Sequence, residues 1–172
     1  MQKPHLVPAL KRALGTETPP AARTVVVLGV GSELRSDDAA GLRVAASLAA
    51  EALPGVRTIE AGPAPENCTA EIRRLHPSHL IIVDCAHMGK APGTLEVFTP
   101  SEIAGVSFGT HGLPLSVLAE YLHAEVGCSV AILGIQPSNV EFGEVVSPLV
   151  EGAVAEAVQL LREFFAPGSF FA

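Results

Sequence analysis

The sequence predicts an α/β protein with three layers, in which a mostly parallel, twisted sheet of five strands lies between helices on both faces. Uncharged runs of strand length alternate with segments of helical spacing along the chain. The run at 79–84, HLIIVD, is typical of a strand buried inside a parallel sheet. Consecutive parallel strands need right-handed crossovers, and the crossover helices cover the two faces of the sheet.

The size and composition of the chain favour one domain. Its 172 residues are 48% hydrophobic and 17% charged, which provides enough apolar material for a sizeable core. We therefore expect a single domain over 1–172, with an N-terminal arm at 1–22, a core at 23–165 and a C-terminal tail at 166–172. A monomer is the favoured oligomeric state.

Charge and cysteine content narrow the range of partners and compartments. The net charge of -7, without a cluster of lysine or arginine, argues against binding to nucleic acid or to an anionic membrane surface. The 3 cysteines lack CxxC spacing, so we predict neither a disulfide framework nor a structural zinc site. The start of the chain lacks a signal-peptide core, and no apolar run reaches the roughly 20 residues of a membrane span. These observations favour a soluble protein of the reducing cytoplasm.

The first half of the chain is predicted to contain three strands and three helices. Apolar residues at helical spacing within 3–14 indicate either a short helix packed on the outside or a loose arm. A second helix is expected from about Asp37, and a third is expected to begin near Asn67 and to end at Pro77. The three apolar or β-branched runs that indicate strands lie at 24–30, 56–60 and 79–84.

The second half of the chain adds two strands and two helices. The segment 95–98 follows a short connection after the third strand, which predicts an antiparallel edge strand. A polar loop with glycines is expected at 100–114. Leu115 begins a helical pattern, 129–135 is the fifth predicted strand, and Pro148 begins the final helix.

The stretch 23–49, RTVVVLGVGSELRSDDAAGLRVAASLA, organises the chain as a strand, a tight turn and a helix. Asp38 is expected to point inward over the end of the sheet, because helical spacing puts it on an apolar face. That face comprises Leu42, Ala45, Ala46 and Ala49. Asp37 lies about a quarter-turn away and is interpreted as an ordinary acid at a helix start, with Ser36 as the N-cap candidate. Asp37→Asn is accordingly expected to cost about 1 kcal/mol or less.

Three residues are expected to meet in the crevice beyond the carboxyl ends of the strands, where open α/β sheets bind ligands. Asp38 follows the first strand, Asp84 ends the third, and His111 lies in a later loop. Two carboxylates and an imidazole suit a divalent metal such as nickel, zinc, iron or manganese, and equally an acid, a base and an electrostatic stabiliser. Taken singly, Asp38 also fits a helix cap and His111 a surface loop. Asp84 has few purely structural reasons to close a buried strand.

No organic cofactor is predicted. Gly29 and Gly31 begin like a dinucleotide fingerprint, but Leu34 replaces its third glycine and Glu33 would repel a pyrophosphate. Cys85 follows Asp84 directly, and strand alternation sends it to the other side of the chain, where a buried, small apolar thiol is expected.

Six short motifs occur in order along the chain: LGVGSELRSDDAAG, AGPAPEN, HLIIVDCAHMG, APGTL, THGLPL and ILGIQP. Together they resemble the hydrogenase maturation endopeptidases over roughly 24–165. The resemblance is strongest to the branch that processes the large subunit of hydrogenase-3-type (formate hydrogenlyase) NiFe hydrogenases. Ser32 departs from the family pattern, which commonly has asparagine after the second glycine.

The resemblance implies a cytoplasmic endopeptidase that removes a C-terminal extension from a NiFe hydrogenase large-subunit precursor after nickel insertion. The metal-sensing residues of the family correspond to Asp38, Asp84 and His111, the three residues that are expected to meet in the crevice. Asp38 and Asp84 are then the catalytic carboxylates, and nickel is carried by the substrate. Two alternatives stay open, namely a nickel-binding chaperone that does not cleave and a small-molecule hydrolase on a related α/β sheet.

Overall fold

The computed structural model describes residues 5–15, 24–109 and 112–166. Within these ranges it has α-helices and strands, with short 3₁₀ turns before the second and third helices. The helices are α1 (Leu6–Leu14), α2 (Ala40–Glu51), α3 (Thr69–Leu75), α4 (Leu115–Val126) and α5 (Pro148–Phe165). The strands are β1 (Val25–Val30), β2 (Val56–Gly62), β3 (His79–His87), β4 (Leu95–Phe98), β5 (Ser107–Phe108) and β6 (Ser129–Ile135).

The main sheet has the strand order β2-β1-β3-β6-β4. β2, β1, β3 and β6 are parallel, and β4 pairs antiparallel with β6 at the edge, with Leu95 opposite Ile135. The α/β class, the mostly parallel sheet and the antiparallel edge strand are thereby confirmed. The chain runs outward from β1 to β2 and then places β3 on the other side of β1. This reversal opens a crevice between the carboxyl ends of β1 and β3.

Side-chain alternation along the central strands divides the core into two apolar layers. Val25 and Val27 of β1 face a cluster that includes residues of α1, α2 and α5. Val26 and Leu28 face the opposite cluster, which includes residues of α3 and α4. β1 is buried along its whole length, as expected for a strand covered on both sides. The three-layer arrangement with helices on both faces is confirmed.

The predicted outer helix near the N-terminus is α1. Its residues Leu6, Leu10 and Leu14 are buried, and the helix contacts β4, β6 and α5. The remaining residues of the predicted arm, and the tail beyond residue 166, lie outside the described residues. Within the described ranges, no helix combines the length and the apolar content that a membrane crossing requires.

Two local predictions differ from the structure. The loop predicted at 100–114 contains a sixth strand, because β3 continues past its last pairing with β6 and its end pairs antiparallel with Ser107 and Phe108. A strand of two residues has no alternation that a sequence could reveal. Asn67 does not cap α3, since it lies within a 3₁₀ turn and Cys68 precedes the helix without a side-chain capping bond.

The inward face of α2 also differs from the prediction. Ala46 and Ala49 are exposed, whereas Val44 and Leu48 are buried. Alanine fits either face of a helix, so the alanines of this segment do not indicate which face of α2 is buried. The two preceding aspartates belong to the 3₁₀ turn Ser36–Ala39, and the 100° spacing of an α-helix does not extend back to them.

Candidate functional site

Glycines allow helix α2 to begin directly on the ends of two strands. A Cβ added at Gly41 would lie 2.2 Å from the carbonyl oxygen of Val83 and 2.4 Å from that of Val30. A Cβ added at Gly29 would lie 2.4 Å from the carbonyl oxygen of Gly41. Side chains cannot occupy these spaces, so both positions need glycine. The start of α2 consequently contacts the carboxyl ends of β1 and β3 together.

The turn after β1 depends on a third glycine. Gly31 has a φ of 141°, and a Cβ there would lie 1.8 Å from the carbonyl oxygen of Asp38. Only glycine adopts this backbone conformation without strain. The turn brings Asp38 back over the end of β1, where the residue is 4% exposed. This is the inward position that the sequence predicts.

Asp37 is a fully buried structural carboxylate. Its Oδ2 accepts hydrogen bonds from the backbone N–H groups of Ser138 at 2.8 Å and Asn139 at 2.9 Å. Ser147 donates to Oδ1 through its backbone N–H at 2.6 Å and to Oδ2 through its hydroxyl at 2.9 Å. Burial by itself raises the pKa of Asp37, but the donors outweigh it and hold the pKa below the ordinary value. The interpretation of Asp37 as an ordinary helix-start acid is wrong, because its partners belong to the loop before α5.

Ser36 links the turn after β1 to the loop before α5, and it is not the N-cap of α2. Its hydroxyl donates to the carbonyl oxygen of Glu141 at 3.1 Å, and its backbone N–H donates to that of Gly143 at 2.7 Å. Its backbone has a φ of 49°, a conformation that residues with a side chain adopt at some cost. The turn 32–36 and the loop 138–147 therefore form one hydrogen-bonded unit.

Asp84 lies on β3 with its carboxylate fully buried. Neither carboxylate oxygen has a hydrogen-bond partner of normal geometry among the described residues. Burial raises the pKa of Asp84 well above the ordinary value, the charge of Asp38 raises it further, and the nearby backbone of Cys85 lowers it by less. The two carboxyl groups thus share a space of low dielectric in which the ionisation of one opposes that of the other.

Cys85 lies on the opposite side of β3 from Asp84, as strand alternation predicts. Its Sγ donates to the carbonyl oxygen of Asp37 at 2.8 Å, and the residue belongs to the cluster around α2 and α5. Burial raises the pKa of this thiol, and the neighbouring carboxylates raise it further. The residue therefore has the character of a buried apolar thiol, with no nucleophilic role.

The loop between β5 and α4 contacts two carboxylates. A Cβ at Gly109 would lie 2.2 Å from Oδ1 of Asp38, and a Cβ at Gly112 would lie 2.7 Å from Oε1 of Glu66. The end of a carboxylate side chain occupies the space beside each glycine and would have to move to admit a Cβ. His111 is outside the described residues, so its position in the site stays a prediction.

Sequence reasoning missed Glu66 and the role of Gln136. Oε2 of Glu66 is buried and has no hydrogen-bond partner among the described residues. Oε1 of Gln136 accepts hydrogen bonds from the backbone N–H groups of Met88 at 2.8 Å and Lys90 at 3.2 Å, which fixes the chain after β3. Both residues belong to motifs that resemble the family, but the spacing within those motifs does not reveal contacts with distant loops.

A cleft of about 460 Å³ opens beside the same loop. Its lining is mixed: Ile103, Val106, Phe108 and Leu115 form an apolar part, and Ser101, Ser116 and Glu120 add polar groups. Phe108 directly precedes Gly109, so the cleft begins one residue from the contact with Asp38. A concave apolar surface in this position suits the side chains of an extended peptide.

The donor set suits a divalent ion that is shared with another molecule. Asp38 and Asp84 can supply carboxylate oxygens, and His111 would add an imidazole nitrogen. Among residues 5–15, 24–109 and 112–166, no group of three or more His, Cys, Asp or Glu residues is arranged to hold a metal ion, and His111 lies outside these ranges. Two or three protein ligands leave coordination positions that ligands of a second molecule can fill.

The fold and the site define a class of protein, the doubly wound α/β proteins in which a carboxylate after one strand and a carboxylate on its neighbour meet at the carboxyl edge of the sheet. A family model described as hydrogenase maturation protease matches residues 42–163. The chain belongs to the hydrogenase maturation protease family and is a peptidase. The resemblance inferred from the six motifs is thereby confirmed.

Known relatives match most of the chain. It is 36% identical over 148 residues to the hydrogenase 3 maturation protease of Escherichia coli K12, a match that covers 86% of this chain and 94% of that protein. It is similar to the solved structure of the NiFe hydrogenase maturation protease HycI from Thermococcus kodakarensis KOD1, with a TM-score of 0.76, 29% identity and coverage of 84% and 94%. The endopeptidase HycI from Escherichia coli has a TM-score of 0.74, 36% identity and coverage of 84% and 93%.

Proposed function

We propose that this peptidase removes the C-terminal extension of a NiFe hydrogenase large-subunit precursor after nickel insertion. The observation that carries the proposal is the buried carboxyl pair of Asp38 and Asp84. Burial of a carboxylate without hydrogen-bond partners costs folding free energy, which favours a role for Asp84 in ligand binding or catalysis over a role in stability. The name of the Escherichia coli relative, hydrogenase 3 maturation protease, indicates the substrate class.

Nickel belongs to the substrate in this proposal. The precursor binds the ion through its own cysteines, and Asp38, Asp84 and His111 supply further ligands. The scissile peptide bond reaches the carboxyl pair only when the ion is present to complete this shared coordination. An imidazole with two carboxylates favours a borderline ion such as nickel or zinc over magnesium, since magnesium prefers octahedral sites made of oxygen ligands.

Asp38 and Asp84 are the catalytic residues of an aspartyl-type reaction. In the free enzyme, the raised pKa of Asp84 and the repulsion between the two groups favour a state in which the pair holds one proton, and binding of the substrate's ion favours the ionised form of both groups. One ionised carboxylate can accept a proton from the attacking water and then donate that proton to the departing amine. A carbon–oxygen bond forms at the scissile carbonyl, and the peptide carbon–nitrogen bond breaks.

The test compares nickel-loaded and nickel-free forms of the folded precursor as substrates. Intact-mass measurement is expected to detect loss of a C-terminal peptide only from the nickel-loaded form, and no loss with Asp38→Asn or Asp84→Asn. Cleavage of a metal-free, folded precursor would contradict the role of nickel. Transfer of nickel without shortening of the precursor would indicate a chaperone.

His111→Ala tests the third proposed ligand. We expect it to abolish processing while the unfolding transition stays unchanged, because a ligand of the substrate's ion contributes little to the apolar core. His76→Ala is the matched control, since His76 is exposed at the end of α3, before β3 begins. Loss of cooperative folding in His111→Ala alone would assign the residue a structural role.

A further inference from the structure

Two loops and the start of α5, at the carboxyl edge of the sheet, expose large apolar side chains. The exposed fraction is 59% for Leu34, 82% for Phe142, 79% for Val145 and 62% for Leu149. We call these four residues the apolar rim. Single exposed apolar residues are common, but a group of them on neighbouring loops marks a binding surface.

Backbone hydrogen bonds hold the two loops side by side. The N–H of Gly143 donates to the carbonyl oxygen of Leu34 at 3.0 Å, and Arg35 and Gly143 form a β-bridge. The Arg35 guanidinium carbon also lies 5.3 Å from the centre of the Phe142 ring, within the range of a cation–π interaction. Leu34 and Phe142, which come from separate parts of the sequence, therefore lie on adjacent segments of backbone.

Hydrogen bonds to the Asp37 carboxylate fix the backbone of the loop that contains Phe142 and Val145. Its carboxylate binds Ser138 and Asn139 before Phe142, and Ser147 after Val145. Apolar side chains on a backbone that is already ordered lose little conformational entropy when a partner covers them. The exposed side chains of Phe142 and Val145 therefore lie on an ordered backbone.

The position and charge of the rim indicate its partner. Leu34 lies in the turn that connects β1 to Asp38, so a protein whose tail enters the carboxyl pair lies over this surface. Exposed Glu33, Glu141 and Glu144 accompany the rim, which favours a partner whose apolar spot is surrounded by basic residues.

We propose that the apolar rim docks the folded body of the hydrogenase large-subunit precursor. This inference rests on the proposed function and deepens it, because it separates recognition of the folded body from action on the tail. The rim contributes binding free energy through Phe142 and Val145, while Asp38 and Asp84 act on the peptide. Affinity for the precursor should also fall as salt rises, because the acidic groups attract the basic surface less strongly.

The experiment measures binding and cleavage separately with the double variant Phe142→Ser, Val145→Ser. Binding is followed by fluorescence anisotropy with labelled, nickel-loaded precursor, and cleavage by initial rates. The double variant is expected to weaken binding and to raise KM, each by about tenfold, while kcat stays unchanged. Val117→Ser is the matched control, because Val117 is 45% exposed on α4, on the other side of the sheet, and should change neither quantity.

Unchanged affinity and KM in the double variant would overturn the proposal. Absence of cleavage by the wild-type protein would refute the proposed function, whereas the binding comparison would still test the rim. A wild-type dimer that becomes a monomer in the double variant would assign the rim to self-association and would also overturn the proposal. Phe142→Leu, which keeps an apolar side chain, should retain most of the affinity, and a melting temperature equal to that of the wild type will verify that each variant folds.

Discussion

Asp37→Asn is expected to destabilise the protein strongly, although the change replaces only one oxygen by an amino group. Every partner of Asp37 is a hydrogen-bond donor, from Ser138, Asn139 and Ser147. An asparagine amide must direct its NH₂ group at one of these donors. The less harmful orientation directs it at the N–H of Ser147, because the other orientation would disrupt the three bonds that Oδ2 accepts.

The expected magnitude follows from the bonds that this orientation loses. A hydrogen bond to a charged group contributes about 1.5–3 kcal/mol, and a buried donor without a partner costs about 1–3 kcal/mol. We therefore expect the free energy of unfolding to fall by about 3 kcal/mol. This replaces the smaller value that follows from treating Asp37 as an exposed helix-start acid. For a chain of this length the melting temperature should fall by about 6–12 °C.

The pH dependence provides a second readout of the same interaction. The folded-state pKa of Asp37 is lowered, so its stabilising contribution is present above the unfolded-state pKa and is lost as the pH falls through the folded-state value. Wild type and Asp37→Asn should differ most at neutral pH and converge in strong acid. Urea unfolding at a series of pH values measures this difference. Equal stability of the two proteins at neutral pH would refute the assignment of Asp37 as a structural carboxylate.

Three further predictions concern buried groups at or near the site. Asp84→Asn should abolish processing and stabilise the fold by about 1–2 kcal/mol at neutral pH. The gain in stability should grow as the pH rises, because the raised folded-state pKa of Asp84 makes the wild type lose stability above the unfolded-state pKa. A lower melting temperature of Asp84→Asn would contradict this prediction. Cys85 should resist alkylation in the native protein and react after unfolding, as peptide mapping will measure, and fast native labelling would refute its burial and raised pKa. Gly41→Ala should prevent stable folding because its Cβ overlaps two strand carbonyls, whereas Gly152→Ala, with no atom within 4 Å of the added Cβ, should leave the melting temperature equal or higher.

The sequence predicts those features that depend on long runs and on chain order. β1 and the first part of β3, residues 79–83, are uncharged and buried, so their composition identifies them. Asp38 follows the first of these strands and Asp84 follows the uncharged run of the second, and the topology of a parallel sheet then brings both residues to one edge. Their positions could be inferred without knowledge of any individual contact.

Features that depend on contacts between distant loops could not be predicted. Asp37 and Asp38 are adjacent in the sequence and chemically identical, yet Asp37 binds a loop that begins 101 residues later. Helical spacing cannot distinguish them, since both belong to a 3₁₀ turn. The contact of Glu66 with Gly112 has the same origin, because neither residue has a local pattern that points to the other.

The attachment of Asp37 to the loop 138–147 has a consequence for how this protein can diverge. Surface loops usually tolerate insertions and deletions, since little else depends on their path. Here one peptide bond joins Asp37 to Asp38, so a change in the length of that loop would displace a carboxylate of the site. We expect natural and engineered sequences of this protein to vary side chains in the loop far more freely than its length, and insertions there should lower both the activity and the melting temperature.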